Sequence, residues 1–136
     1  MNHLYNIFIK LIDKLILPIL GLLNPKIKRF RTNRLSLIEK IKKEVSHENN
    51  IIWFHVASLG EYEIAVPLIR LIKEKYKSKI ILTFFSESGF KLKNRIKEID
   101  YTYYLPLDTK SNAKKFLDII NPELVIFVRS EIWPNY

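Results

Sequence analysis

The chain has 136 residues, 48% of them hydrophobic, with 23 Lys and Arg against 14 Asp and Glu for a net charge of +9. It is long enough to bury a core and too apolar for a disordered tail, and its charge favours an anionic partner: a phosphate-bearing ligand, an acidic membrane face or nucleic acid. The absence of cysteine excludes disulfides, thiolate nucleophiles and cysteine metal sites, and His3, His47 and His55 are scattered without carboxylates at ligand spacing, so no metal centre is expected.

Residues 4–23 are almost wholly apolar and about 20 residues long, the length of a bilayer span. Asn6, Lys10, Asp13 and Lys14 interrupt them, and at roughly 100° per residue they share one narrow arc of a helix. The pattern predicts an amphipathic, membrane-associated helix lying in the interface; a tilted span fits the length as well. No small-residue cleavage site follows, which argues against a removed signal peptide. After the turn signal Asn24-Pro25 come Lys26, Lys28, Arg29, Arg31 and Arg34 with no acid among them. Near an anionic surface each contributes about 1 kcal/mol, a second anchoring signal beside the helix. The plainer alternative is a helix packed on its own domain, with solvated charges. Residues 1–34 are therefore set apart as a membrane-associating segment, and 35–136 as a domain.

That domain opens with Leu35, Ile38, Ile41 and Val45 at helical spacing and a polar loop over 46–50. Ile-Ile-Trp-Phe-His-Val (51–56) is a continuous apolar run of strand length, halted at Ala57-Ser58-Leu59-Gly60 and followed by Glu61 and a helical pattern. It reads as a buried parallel strand feeding a helix. Ile64, Leu68, Leu71 and Ile72 make the apolar stripe of that helix. Pro67 requires either that the regular helix start near Ile64, with the proline in its first turn, or that it be kinked there. A second strand over 79–85 closes at Ser86-Glu87-Ser88-Gly89, and a basic helix follows over about 90–98. A third strand over 101–105 ends at Pro106, a helix over 110–120 stops at Asn121-Pro122, and a fourth strand covers 124–128. Strands alternating with helices imply an α/β fold with a Rossmann-like parallel sheet.

In such sheets ligands bind at the carboxyl ends of the strands. Three of those ends carry polar, loop-forming sets: Ser58, Gly60 and Glu61; Ser86, Glu87, Ser88 and Gly89; Arg129, Ser130 and Glu131. They could line one pocket, with Gly60 and Gly89 allowing close backbone approach or positive φ. Neither a Gly-rich phosphate motif nor a Gly-x-Ser-x-Gly elbow occurs. Glu61 is the best candidate for a general base, effective once bound substrate excludes water; on spacing alone a plain helix N-terminal acid is the favoured reading. Glu131 is either a site acid or a structural partner of Arg129. His55, Trp53 and Trp133 read as core residues.

His-Val-Ala-Ser-Leu-Gly-Glu (55–61) resembles the His-x-x-Ser-x-Gly-Glu signature of the 3-deoxy-D-manno-octulosonic acid (Kdo) transferases of lipopolysaccharide synthesis. The resemblance continues in order through Val66-Pro67-Leu68-Ile69-Arg70, residues 83–89, Tyr104-Leu105-Pro106-Leu107-Asp108 and Ser130-Glu131-Ile132-Trp133-Pro134-Asn135. It implies the partial amino-terminal domain of an inverting GT-B glycosyltransferase on the cytoplasmic face of the inner membrane. Such an enzyme moves Kdo from CMP-Kdo to the phosphorylated lipid A precursor without a further cofactor. By the same resemblance Glu61 is the base and Glu131 a second active-site acid, with Ser58, Gly60, Ser88 and Gly89 in the substrate site. Arg129 stands where many relatives have an acid, which counts against a paired-acid role. The donor-binding carboxy-terminal domain is absent from these residues, so the 136 residues alone are expected to be inactive. The alternative is a non-catalytic membrane-surface module of the same fold. Nucleic-acid binding is not expected, because the basic residues are not interleaved with aromatics and no motif is present.

Overall fold

The computed structural model describes residues 2–90, 97–129 and 132–136, with the backbone alone at Asn2, Ser88 and Gly89. Four parallel strands, β1 (Ile51–Val56), β2 (Lys79–Phe84), β3 (Tyr101–Tyr104) and β4 (Leu124–Phe127), form one sheet in the order β3-β2-β1-β4. All six residues of β1 are buried, because the strand is flanked on both edges and covered on both faces; that is why its sequence runs apolar without alternation. The predicted α/β class and parallel sheet are observed.

Helices α4 (Leu37–Val45) and α7 (Lys110–Ile120) cover one face. Leu37, Ile41 and Val45, with Phe116 and Ile120, pack on Ile51, Trp53, Ile81 and Tyr103. Helix α5 (Leu59–Lys75) covers the other, placing Tyr62, Ala65, Ile69 and Ile72 against Ile52, Phe54, Val56, Ile80, Leu82 and Phe84. Each large aliphatic or aromatic side chain so buried contributes about 1.5–3 kcal/mol of transfer free energy.

The expected stripe on α5 is corrected here. Of Ile64, Leu68, Leu71 and Ile72 only Ile72 is buried, while Ile64 is 56%, Leu68 42% and Leu71 45% exposed. The helix is apolar on two faces, and the one chosen by the sheet is Tyr62-Ala65-Ile69-Ile72. Pro67 lies in the helix interior, not in its first turn, which belongs to Leu59 and its neighbours. A short α6 (Glu87–Phe90) follows β2; the rest of the basic helix expected over 90–98 falls largely outside the described residues.

The amino-terminal segment is helical almost throughout: α1 (Asn2–Leu11), a π-helical turn (Ile12–Ile16), α2 (Leu17–Leu23) and α3 (Pro25–Thr32). Asn24, in extended conformation, caps α3 by accepting from the Lys26 N–H at 2.9 Å, with Pro25 at the first helical position. Gly21 lets α2 and α3 cross closely, since a Cβ there would lie 3.4 Å from the Lys28 Cα. On α1 the polar arc is partly turned inward. Asn6 is buried and Tyr5 donates to Asp108 at 2.7 Å, whereas Leu4 (78%), Phe8 (57%), Leu22 (86%) and Leu23 (81%) are exposed. Among the described residues no helix is long and apolar enough to cross a membrane.

Candidate functional site

The strand ladder continues one step beyond the strands. Phe85 N–H donates to Val56 O at 3.3 Å, Ser86 N–H to Ala57 O at 3.0 Å, Leu105 N–H to Phe84 O at 2.9 Å and Val128 N–H to His55 O at 3.0 Å. These bonds level the four carboxyl ends into one rim. The segments carrying Ser58, Gly60 and Glu61 and carrying Ser88 and Gly89 stand at adjacent strand ends, as the chain order predicts.

At the end of β1, Ser58 is the N-cap of α5 in extended conformation, its hydroxyl making no capping bond. Glu61, three positions on, turns its carboxylate back to accept from the Ala57 N–H through Oε2. This is a variant of the reciprocal capping arrangement of Ser-x-x-Glu sequences, with the acid reaching one residue further back. Glu61 is half-buried and its Oε1 is not engaged by the capping bond. Capping and proton acceptance are thus compatible: one oxygen is held by the Ala57 N–H, and the other lies outside that bond. Gly60 does not have positive φ, and a Cβ there would meet nothing within 4 Å. Of the two roles expected for glycine here, positive φ is not found; what lies over Gly60 is open space. Arg129, at the end of β4, is exposed and takes a φ of 70°. Ser130 and Glu131 lie outside the described residues.

Beneath the rim lies a polar floor. His55 and Thr83 are fully buried, with His55 Nδ1 at 2.8 Å from the Thr83 hydroxyl oxygen, which also accepts from Trp53 Nε1 at 2.8 Å. Trp133 crosses above, its ring 5.0 Å from Phe85 and 5.8 Å from His55. His55, Trp53 and Trp133 are therefore packing residues, as read from the sequence.

Three residues tie the amino-terminal helices to this rim, a role that sequence reasoning missed. Arg34 donates from Nε to Leu105 O at 2.9 Å, from Nη2 to Phe85 O at 2.9 Å and from Nη1 to Phe30 O at 3.2 Å, and lies 3.7 Å over the Phe30 ring. Burial pushes its guanidinium down to about 10, against the opposing influence of Tyr104 and Tyr136. Asp108, fully buried, accepts from Tyr5 at 2.7 Å and from the Asn135 N–H at 3.2 Å; desolvation raises its pKa, and these bonds only partly offset it. The available signals were the Phe30/Arg34 spacing and an aspartate inside an apolar Pro-Leu-Asp run. Arg29 pairs with Glu87 at 2.9 Å, completing a basic flank over the ends of β2 and β3. Among the described residues no group of three His, Asp or Glu side chains could hold a metal ion.

Residues 29–136 match the family model described as 3-Deoxy-D-manno-octulosonic-acid transferase (kdotransferase). A protein of Haemophilus influenzae named 3-deoxy-D-manno-octulosonic acid transferase is 30% identical over 133 residues, 96% of this chain and 31% of that protein. Proteins of the same name from Rickettsia felis and Aquifex aeolicus are 35% and 30% identical, over 70% and 69% of this chain and 21% and 26% of their own lengths. The chain thus spans between about a fifth and a third of these relatives. Since the match runs from the basic flank through the Glu61 turn to the closing Trp-Pro-Asn, the chain belongs to the 3-deoxy-D-manno-octulosonic acid transferase family, as an amino-terminal part.

Proposed function

We propose that this chain forms the acceptor side of an inverting Kdo transferase of GT-B architecture at the cytoplasmic face of the inner membrane. It handles the phosphorylated lipid A precursor, with CMP-Kdo bound by the part of the relatives' length that these residues do not span. In the reaction an acceptor hydroxyl oxygen attacks the anomeric carbon of Kdo from the face opposite CMP. The bond to the CMP phosphate breaks, CMP leaves with the electron pair, and the hydroxyl proton passes to Glu61. No cofactor or metal enters this scheme, and nucleic acid is not a partner.

The observation that carries the reading is Glu61: a carboxylate at the carboxyl end of the central strand, fixed by one oxygen on the Ala57 N–H. Ser58 and Gly60 border it, and the backbone of Ser88 and Gly89 stands at the neighbouring strand end. Glu131 is proposed as a second acid of the same rim. The basic flank suits a phosphorylated acceptor, and the outward apolar residues of α1 and α2 suit one embedded in lipid.

The test is transfer of labelled Kdo from CMP-Kdo to lipid A precursor by the full-length protein, with the anomeric configuration of the product read by NMR. Transfer with inversion supports the reading. A protein that binds anionic vesicles but transfers no Kdo is instead a membrane-surface module.

A further inference from the structure

A cavity of about 410 Å³ lies between the α2–α3 hairpin and the carboxyl ends of β2 and β3, within the usual range of small-molecule sites. Its apolar walls are Leu17, Ile27, Phe30, Phe85 and Tyr104, with Lys26 and Glu87 among its polar lining residues. Resting on the acceptor reading above, we infer that this cavity is a subsite for one hydrocarbon chain of the acylated, phosphorylated acceptor.

Three observations select that occupant. The helix that supplies Leu17 exposes Leu20 (41%) one turn further on, so the apolar lining continues toward an apolar outer surface from which a chain can enter. Positive charge accompanies the apolar wall: Lys26 and Arg34 line the cavity itself, and the one acid among its described lining residues, Glu87, is paired with Arg29. Such a combination suits an amphiphile with an anionic head and disfavours a neutral apolar solute. Finally, a short run of backbone hydrogen bonds connects the cavity wall to the proposed base. Glu61 is bonded to Ala57 N–H, Ala57 O accepts from Ser86 N–H at 3.0 Å, and the preceding residue, Phe85, is a cavity wall.

Arg34 makes the wall rigid. Its guanidinium joins Phe30 O in α3 to Phe85 O and Leu105 O at the ends of β2 and β3, so the two sides of the cavity are held together by one side chain. A chain seated between them fixes how far the head group extends along the rim. Acyl occupancy therefore acts as a positioning device for the attacking hydroxyl.

The experiment measures binding of two probes to the full-length protein in phosphatidylcholine nanodiscs. One is the acylated bisphosphorylated glucosamine disaccharide; the other is the same disaccharide stripped of all its acyl chains, ester- and amide-linked alike. Leu17→Trp and Ile27→Trp fill the cavity from its two helices, and thermal unfolding confirms that each variant folds. Both variants are expected to bind the acylated probe at least tenfold more weakly and the stripped probe as wild type does. A photoactivatable group on the acyl chain of the acceptor is expected to label Ile27, Phe30 or Phe85. Unchanged affinity for the acylated probe in both folded variants overturns the inference, as does equal labelling of the cavity by a photoactivatable phosphatidylcholine. An acceptor that labels the cavity but receives no Kdo would contradict the transferase reading and leave the chain subsite supported.

Discussion

Thr83 carries no charge and lies 28 and 30 residues from its partners, yet its hydroxyl serves both the Trp53 indole and His55 in the core. Thr83→Val keeps the shape and leaves the buried indole N–H without its acceptor, so it is expected to lower the unfolding free energy by about 1–3 kcal/mol in urea titration. Asp100 gives a pH-dependent counterpart. Burial alone would raise its pKa, but the Ile80 N–H at 2.8 Å, Lys73 at 2.7 Å and Lys79 at 3.7 Å outweigh that and leave it lowered. A carboxylate depressed in the folded state stabilises above its unfolded pKa of about 3.9 and loses that contribution as pH falls through the lower folded value. Asp100→Asn is therefore expected to be less stable than wild type at pH 7, with the gap closing in acid, as followed by circular dichroism. Glu61 was legible because its position after a strand and a small-residue turn is a local pattern. Arg34, Thr83 and Asp108 were not, because each acts across the chain: Arg34 on Leu105 over 71 residues, Asp108 on Tyr5 over 103.

Helix α7 and strand β1 matched their sequence bounds because each carries its own punctuation. For α7, Thr109 accepts from the Asn112 N–H at 3.2 Å at one end, and Asn121 takes a left-handed φ of 36° before Pro122 at the other. Helix α5 was misread in its face, since a sequence apolar on two sides does not say which side meets the sheet; of the two starts left open, the one with Pro67 inside the helix is found. The structure separates the two faces, and so would mutation. Ile69→Ala, at a fully buried position, is expected to cost about 2–5 kcal/mol, and Ile64→Ala, on the exposed side, within about 0.5 kcal/mol. Equal losses at the two positions would mean that the outer face of α5 is also covered in the folded protein. The polar arc of α1 was visible in the sequence. That it partly faces inward, with Asn6 buried and Tyr5 on Asp108, required the fold.

For the whole molecule, the sheet gathers strand ends from across the sequence to one rim, and the amino-terminal helices place both apolar surface and positive charge beside it. The net charge of +9 is read directly from composition, but its concentration over the ends of β2 and β3 depends on Arg34 and the Arg29–Glu87 pair. The proposed function requires Glu61 to act as a base and not solely as a cap. Glu61→Gln keeps a carbonyl oxygen able to accept from Ala57 N–H, so stability should stay within about 0.5 kcal/mol of wild type. The deciding measurement is the rate of Kdo transfer by the full-length Glu61→Gln protein, alongside its affinity for the acceptor. Loss of the base is expected to reduce the rate by about 10²–10⁴-fold with acceptor binding preserved. A variant that transfers Kdo at the wild-type rate would contradict the proposed function and return Glu61 to a structural role.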